Sequence, residues 1–244
     1  MTTLQSARRL LLQTVTGATV WCLLGLAPAL AQTPPPAAGK VATAIFATGC
    51  FWCAQADFAR LDGVVSTTAG YSGGQAENPT YEQVSTQATG HTESVLVVYD
   101  TAKLSYERLV DFFWHTIDPT SRNRQFCDSG AMHRAAVFTA GPEQMKIAQA
   151  SRTALDQSKR FTTPVVTEIE PVGQFYAAEA YHQNYAKRNP IRYRFYRFHC
   201  GRDAKLKDLW GDLALKPTPP AAPAAAASAP APAPTPAPSA SAAK

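Results

Sequence analysis

The sequence predicts an α+β fold: a mixed, mostly antiparallel sheet with a ferredoxin-like β-α-β-β-α-β core and flanking helices. Three observations predict it. Short runs rich in Val, Ile, Phe and Tyr recur between stretches of helical spacing. The first six elements follow the order strand, helix, strand, strand, helix, strand, which is that of a split β-α-β unit. Between two compositionally foreign ends lie roughly 175 residues, a length that suits one domain.

Residues 41–47, Val-Ala-Thr-Ala-Ile-Phe-Ala, read as the first strand. Gly49 turns the chain, and residues 54–61 read as a helix. Residues 63–71 form a second strand that ends in the Ser72-Gly73-Gly74 turn. Residues 75–90 carry no strong period and read as a long loop, the kind that tends to be functional. Residues 91–100 alternate and then run apolar, as a third strand. Ser105 caps a helix over 105–114 with Leu109, Phe112 and Phe113 on one face, and Pro119 breaks it. A polar loop holding Arg122, Arg124, Cys127, Asp128 and Gly130 leads to a strand over 134–139. A helix over 142–159 follows, with Pro142 suited to its first turn. A strand over 165–169 and a helix over 177–187, closed by Asn189-Pro190, complete the order. Beyond it, Arg192, Arg194 and Arg197 alternate with aromatics, as the solvent face of an extended segment would.

Neither end reads as fold. Arg8-Arg9 precedes an apolar run that finishes in Ala29-Leu30-Ala31, the small-x-small form of a signal-peptidase site, so residues 1–31 are expected to be an export signal and the mature protein periplasmic or secreted. The Arg pair also permits twin-arginine export. Gln13, Thr14, Thr16, Gly17 and Thr19 interrupt the run, which speaks against a membrane anchor. Residues 32–40 read as a linker and 41–215 as the folded domain. Residues 216–244, almost only Pro, Ala, Ser and Thr, lack apolar surface to offset ordering entropy and read as a disordered tail.

The formal charge is +5, and without Arg8 and Arg9 the remaining bases against 18 acids leave about +3. So mild a surplus, scattered along the chain, excludes a nucleic-acid role. Cys50, Cys53, Cys127 and Cys200 remain after export. In an oxidising compartment an even number commonly means structural disulfides, but a core of this size needs no staples, so reactive use competes.

Cys50 is the residue that chemistry would choose. It stands where a strand gives way to a helix, beside unpaired backbone N–H groups and the positive end of the helix dipole, which favours a thiolate. Phe51 and Trp52 lay apolar surface beside the sulfur, suiting a small, soft substrate group. Glu93, at a strand end, becomes a proton donor if it is held away from water. Asp128 lies in a glycine-containing loop and Tyr81 follows Pro79-Thr80. Residues alone stop at a nucleophilic or redox cysteine enzyme.

Taken in order, Gly49-Cys50-Phe51-Trp52, Gly70-Tyr71-Ser72-Gly73-Gly74, Asn78-Pro79-Thr80-Tyr81, Gly90-His91-Thr92-Glu93, Asp118-Pro119-Thr120, Asp128-Ser129-Gly130 and Tyr181-His182-Gln183-Asn184-Tyr185 with Asn189-Pro190 resemble the A-type peptide-methionine sulfoxide reductases over residues 42–212. The resemblance implies reduction of methionine S-sulfoxide, free or in oxidised proteins and peptides, with no bound cofactor and no metal. Cys50 would attack the sulfoxide sulfur, with the substrate methyl against Phe51 and Trp52. Glu93 would donate a proton while Tyr81 and Asp128 hold the oxygen. The resulting sulfenic acid would condense with a second thiol, and a thioredoxin-like dithiol would reduce the disulfide. Cys200, on a segment after the last helix, is the first choice for that second thiol. Cys53, which places this chain in a Gly-Cys-Phe-Trp-Cys subgroup, is the second, and Cys127 is a relay or an inert thiol. The enzyme is expected to act as a monomer.

The chain departs from the pattern where Met132-His133-Arg134 stands in place of Gln-Tyr-Arg. His133 still donates a hydrogen bond but is shorter and titrates near neutrality, which would make sulfoxide polarisation weaker or pH-sensitive. Gln55 replaces a frequent glutamate and Ala180 a frequent aspartate. The rival reading is an exported thiol-disulfide oxidoreductase built on Cys50-x-x-Cys53. A four-cysteine zinc site has only one pair at ligand spacing.

Overall fold

The computed structural model describes residues 40–217. The expected export signal, the linker up to residue 39 and the tail from residue 218 lie outside the described residues. A six-stranded sheet is formed from β1 (Val41–Thr48), β2 (Val64–Ser72), β3 (Thr92–Asp100), β6 (Ala135–Thr139), β7 (Glu168–Pro171) and β8 (Tyr176–Ala177), in the order β7-β6-β1-β3-β2-β8. A two-stranded hairpin joins β4 (Arg124–Gln125) to β5 (Asp128–Ser129). The inner order β6-β1-β3-β2, with every pair antiparallel, is the ferredoxin-like arrangement expected from the element order. β7 adds parallel to β6 through the crossover helix α4 (Pro142–Gln157), so the sheet is mixed.

β1 occupies the centre because its apolar residues serve both faces. Phe46 is fully buried, and its ring stacks on Phe58 at 4.9 Å and on Phe113 at 5.4 Å. It thereby ties β1 to α1 (Phe51–Phe58) and α3 (Tyr106–Trp114). Ser105 caps α3 as expected, its hydroxyl accepting from the Arg108 N–H at 3.3 Å. The stretch expected to be a structureless loop contains a short helix, α2 (Tyr81–Ser85). Thr80 and Gln83 form a capping box there, a signature visible in sequence but easily passed over in a helix of five residues.

The chain after residue 160 differs most from expectation. Val165 and Thr167 bury themselves without entering the sheet, Val166 between them donating to the Pro119 carbonyl at 2.9 Å, and the ladder starts only at Glu168. In place of one helix over 177–187 there is a turn stretch that ends at a left-handed Asn184, φ 52°, followed by the short α5 (Tyr185–Arg188). Beyond Asn189 the chain is helical, not extended: α6 (Pro190–His199) and α7 (Arg202–Trp210). Its alternating basic and aromatic residues hide a second spacing. Tyr193 and Arg197, four apart, are buried on one helical face because a carboxylate from α1 waits beneath them.

Candidate active site

Gly49 makes the turn that presents Cys50. Its φ is +83°, and a Cβ there would come within 2.6 Å of the Gln125 side chain, so only glycine serves. Cys50 is the N-cap of α1, as the strand-to-helix reading required. The first helical N–H does not wait for the sulfur, however. Phe51 donates it to Oε2 of Glu93 at 2.8 Å, so the carboxyl occupies the helix N-terminus. Burial pushes the Cys50 thiol well up, with Cys53 and Glu93 adding to the rise, which reverses the thiolate preference expected from helix position alone.

Glu93, on β3, is 3 % exposed, and burial raises its carboxyl to about 8, with the charge of Asp128 adding to this against the Phe51 N–H. At neutral pH it therefore carries a proton. Nδ1 of His133 lies 4.0 Å from Glu93 Oε2 without a hydrogen-bond partner, and burial lowers the imidazole so that it stays neutral. Tyr81 donates its backbone N–H to Glu179 at 2.8 Å, which also accepts from the Tyr71 hydroxyl, and its own hydroxyl is pushed up by burial to about 12. Its ring stands 6.4 Å from that of Phe51. Trp52 stacks flat on Tyr185 at 3.7 Å and donates its indole N–H to His182 at 3.0 Å.

These side chains meet in one cavity of 120 Å³ lined by Cys50, Phe51, Trp52, Tyr81, Glu93, Asp128, His133 and Tyr196. Every residue expected to touch substrate is there. Tyr196, on α6, was not singled out from the sequence, where Arg192, Arg194 and Arg197 around it read as the solvent face of an extended segment. Its hydroxyl donates to Asp128 Oδ2 at 2.6 Å, which places it on the wall of the same cavity as Cys50. A larger cavity of 600 Å³ lies beyond Trp52, bounded by Asn184, Tyr193 and Arg194, and reaches neither Cys50 nor Cys53.

The other thiols divide in two. Cys53, 1 % exposed, is one turn into α1 and packs in one cluster with Cys50 and Tyr193. Cys200 closes α6, not a loose segment as expected, and is joined to Cys127 in a disulfide, Cα–Cα 5.0 Å. Cys50 and Cys53 are free. The Cys127 and Cys200 sulfurs lie 3.6 and 3.9 Å from the two Asp128 oxygens, at the edge of the cavity, and Cys127 is exposed. The arrangement provides a nucleophilic sulfur, a protonated acid and hydroxyl donors round a space the size of a side-chain end, with a second thiol, Cys53, behind the nucleophile and a disulfide at the rim.

The family model described as "Peptide methionine sulfoxide reductase" matches residues 42–214. A peptide methionine sulfoxide reductase of Caulobacter vibrioides is 48 % identical over 182 residues, spanning 74 % of this chain and 91 % of the relative. One from Leuconostoc mesenteroides is 50 % identical over 152 residues, 62 % and 89 % of the two chains. The solved structure of methionine sulfoxide reductase A of Corynebacterium diphtheriae superposes with a TM-score of 0.57 at 36 % identity, covering 62 % of this chain and 76 % of that one.

Proposed function

From the premise that this chain belongs to the peptide methionine sulfoxide reductases, we propose how its own residues carry the reaction. The enzyme reduces methionine sulfoxide to methionine. Cys50 is the nucleophile and Glu93 the acid: one proton shared between them is enough, because Cys50 reacts as thiolate while Glu93 protonates the departing oxygen. The sulfoxide methyl rests on Phe51 and Trp52, and the oxygen faces Tyr81, Tyr196 and neutral His133, with Asp128 orienting the Tyr196 hydroxyl. We assign the S epimer as the one whose oxygen meets these donors while its methyl meets the rings.

Cys50 gains the oxygen and becomes a sulfenic acid, and methionine leaves. Cys53 then displaces it, forming the Cys50–Cys53 disulfide and releasing water. Cys53 is chosen because it is the free thiol packed beside Cys50 one helical turn away, whereas Cys200 is held by Cys127. Both sulfurs of the Cys50–Cys53 pair are buried, Cys50 at 7 % and Cys53 at 1 % exposed, which keeps them from the thiols of a bulky macromolecular dithiol. The Cys127–Cys200 pair supplies the exit. In dithiol form, Cys200 attacks Cys50 and expels Cys53, Cys127 then expels Cys50, and the exposed disulfide is reduced by a thioredoxin-like dithiol. The substrate is an oxidised peptide or protein and the enzyme works as a monomer. Export is inferred from Arg8-Arg9 and Ala29-Leu30-Ala31 alone, and recovery of the mature protein only from cytoplasmic fractions would overturn it.

The observation that carries the reading is the protonated carboxyl of Glu93 at the helix start beside a buried cysteine. Chromatography of a sulfoxide-containing peptide after incubation should show the reduced peptide with the full chain and none with Cys50→Ser. Equal turnover by the two proteins would sink the assignment. The thiol-disulfide oxidoreductase reading lacks the family match and gives no role to Glu93.

A further inference from the structure

Beneath the turn that carries Cys50 lies Arg202, of α7, 1 % exposed. Its Nη1 donates to the Thr48 carbonyl at 3.0 Å, and its Nη2 to the Thr116 carbonyl at 2.8 Å and the Thr48 hydroxyl at 3.2 Å. One face of the guanidinium covers the ring of Phe126, 4.5 Å from its centre. The Nε–H has no hydrogen-bond acceptor, and the carboxylate nearest to it, Asp57, is 4.0 Å away. That carboxylate is already engaged. Asp57, fully buried on α1, takes both its oxygens to Nη1 of Arg197, at 2.9 and 3.0 Å, and also accepts from Arg60. Arg197 spends its remaining donors on half-exposed Asp203 and on the Tyr193 hydroxyl.

Among the described residues, this cluster sets two buried guanidinium groups, Arg197 and Arg202, against one fully buried carboxylate, Asp57, and its other carboxylate, Asp203, meets Arg197 from the exposed side. An uncompensated buried charge is costly, and an anion placed nearby relieves it. Cys53 stands one helical turn before Asp57, buried beside Tyr193. The groups facing it are Cys50 and Asp57 from α1, Glu93 from β3, Tyr193, Tyr196 and Arg197 from α6, and Arg202 from α7. Both cations sit on this side: Arg197 donates to the Tyr193 hydroxyl at 2.8 Å, in the cluster that holds Cys50 and Cys53, and Arg202 reaches to 4.0 Å from Asp57.

We propose that Arg202, seconded by Arg197, is a positioning residue that holds Cys53 as the anionic member of the Cys50–Cys53 pair. This rests on the reading of Cys50 as nucleophile and Cys53 as resolving thiol. An anionic Cys53 attacks the Cys50 sulfenic sulfur: the S–S bond forms, the S–O bond breaks, and the oxygen departs as water after taking a proton from solvent through Glu93. The same stabilisation makes Cys53 the better leaving group when Cys200 later attacks Cys50, since the sulfur that most readily bears charge leaves fastest. The hydrogen bond from Cys50, and after it the two guanidinium charges, lower the Cys53 thiol, whereas burial raises Cys50.

The test is carried out on the full chain with Cys127–Cys200 oxidised. In the Cys50→Ser background, where serine still donates to Cys53, the ultraviolet thiolate absorbance is titrated against the Cys50→Ser, Cys53→Ser double variant. Arg202→Met should raise the pH of Cys53 ionisation by about one unit, a tenfold loss of acidity, and Arg202→Lys should recover most of it. In the otherwise native enzyme, Arg202→Met should lengthen the life of the dimedone-trappable Cys50 sulfenic acid about tenfold after one turnover. Asp57→Asn, which removes the competing anion, should move Cys53 ionisation in the opposite direction, a result that loss of packing would not produce. Should Arg202→Met fail to fold, the downward shift expected in Asp57→Asn, with a near-native value in Arg202→Lys, still tests the charge. Unchanged titration and sulfenic lifetime in Arg202→Met, or an upward shift in Asp57→Asn, overturns the proposal. Failure of the native enzyme to release methionine would sink the reaction assigned above, while the titration would still report on Arg202.

Discussion

Replacing Glu93 by Gln keeps the shape of the acid and the acceptor for the Phe51 N–H but removes the proton it gives. Glu93 titrates at about 8 and Cys50 well above the ordinary thiol value, so the two groups are in reverse order for their tasks. The active form, thiolate with carboxylic acid, shares its proton count with the form thiol with carboxylate. Its population therefore rises tenfold per unit at low pH, levels once the pair has lost one proton near the Glu93 value, and falls only above the Cys50 value. The rate of methionine formation under single-turnover conditions should follow that curve in the native enzyme. In Glu93→Gln the rate at pH 7 should drop by about 10² to 10⁴, or about 3–5 kcal/mol of barrier. The inflection near 8 should vanish, leaving a rise that continues to the Cys50 ionisation. Quenched-flow chromatography of methionine from pH 5.5 to 10 measures both. A Glu93→Gln rate within about threefold of native, or an inflection unmoved by the substitution, would refute the acid role.

Two further outcomes follow from the same geometry. Phe46→Ala removes a fully buried ring stacked on Phe58 and Phe113 and should cost about 3–5 kcal/mol in urea unfolding, because sheet and helices cannot collapse into the gap. A loss under about 1 kcal/mol would show that the stack does not anchor the core. Cys127→Ser should leave the first equivalent of methionine intact but slow steady-state turnover supported by a thioredoxin-like protein, and slow it much less with a small dithiol, as the exit-port role of the Cys127–Cys200 pair requires. Equal slowing with both reductants would remove Cys127 from the recycling path.

Local order was legible in the sequence because it depends on neighbours. Strand, glycine turn and helix around Cys50 follow from residues within about ten positions of one another, and the ferredoxin-like core follows from element order. Glu93, Tyr81, Asp128 and His133 were legible as polar groups in motifs, and their meeting in one cavity followed from strand ends and loops at one side of the sheet. What packing decided lay in the last fifty residues or in charges. Tyr196 carries no local signal of its role, which appears only when α6 folds it onto Asp128, 68 positions away. Arg197 and Arg202 look like surface bases until Asp57 and the Thr48 carbonyl, 140 and 154 positions away, take them inside. The ionisation of Cys50 went against its helix position because burial, with Cys53 and Glu93 beside it, disfavours the thiolate. Propensity and motif are local properties, whereas burial and the sharing of a donor or a charge are set by whichever distant groups the fold brings into contact. The amino-acid order alone therefore determined the family, the fold and the identity of the nucleophile. The proton inventory, the partner of each thiol and the cations behind Cys53 existed only once the chain had closed on itself.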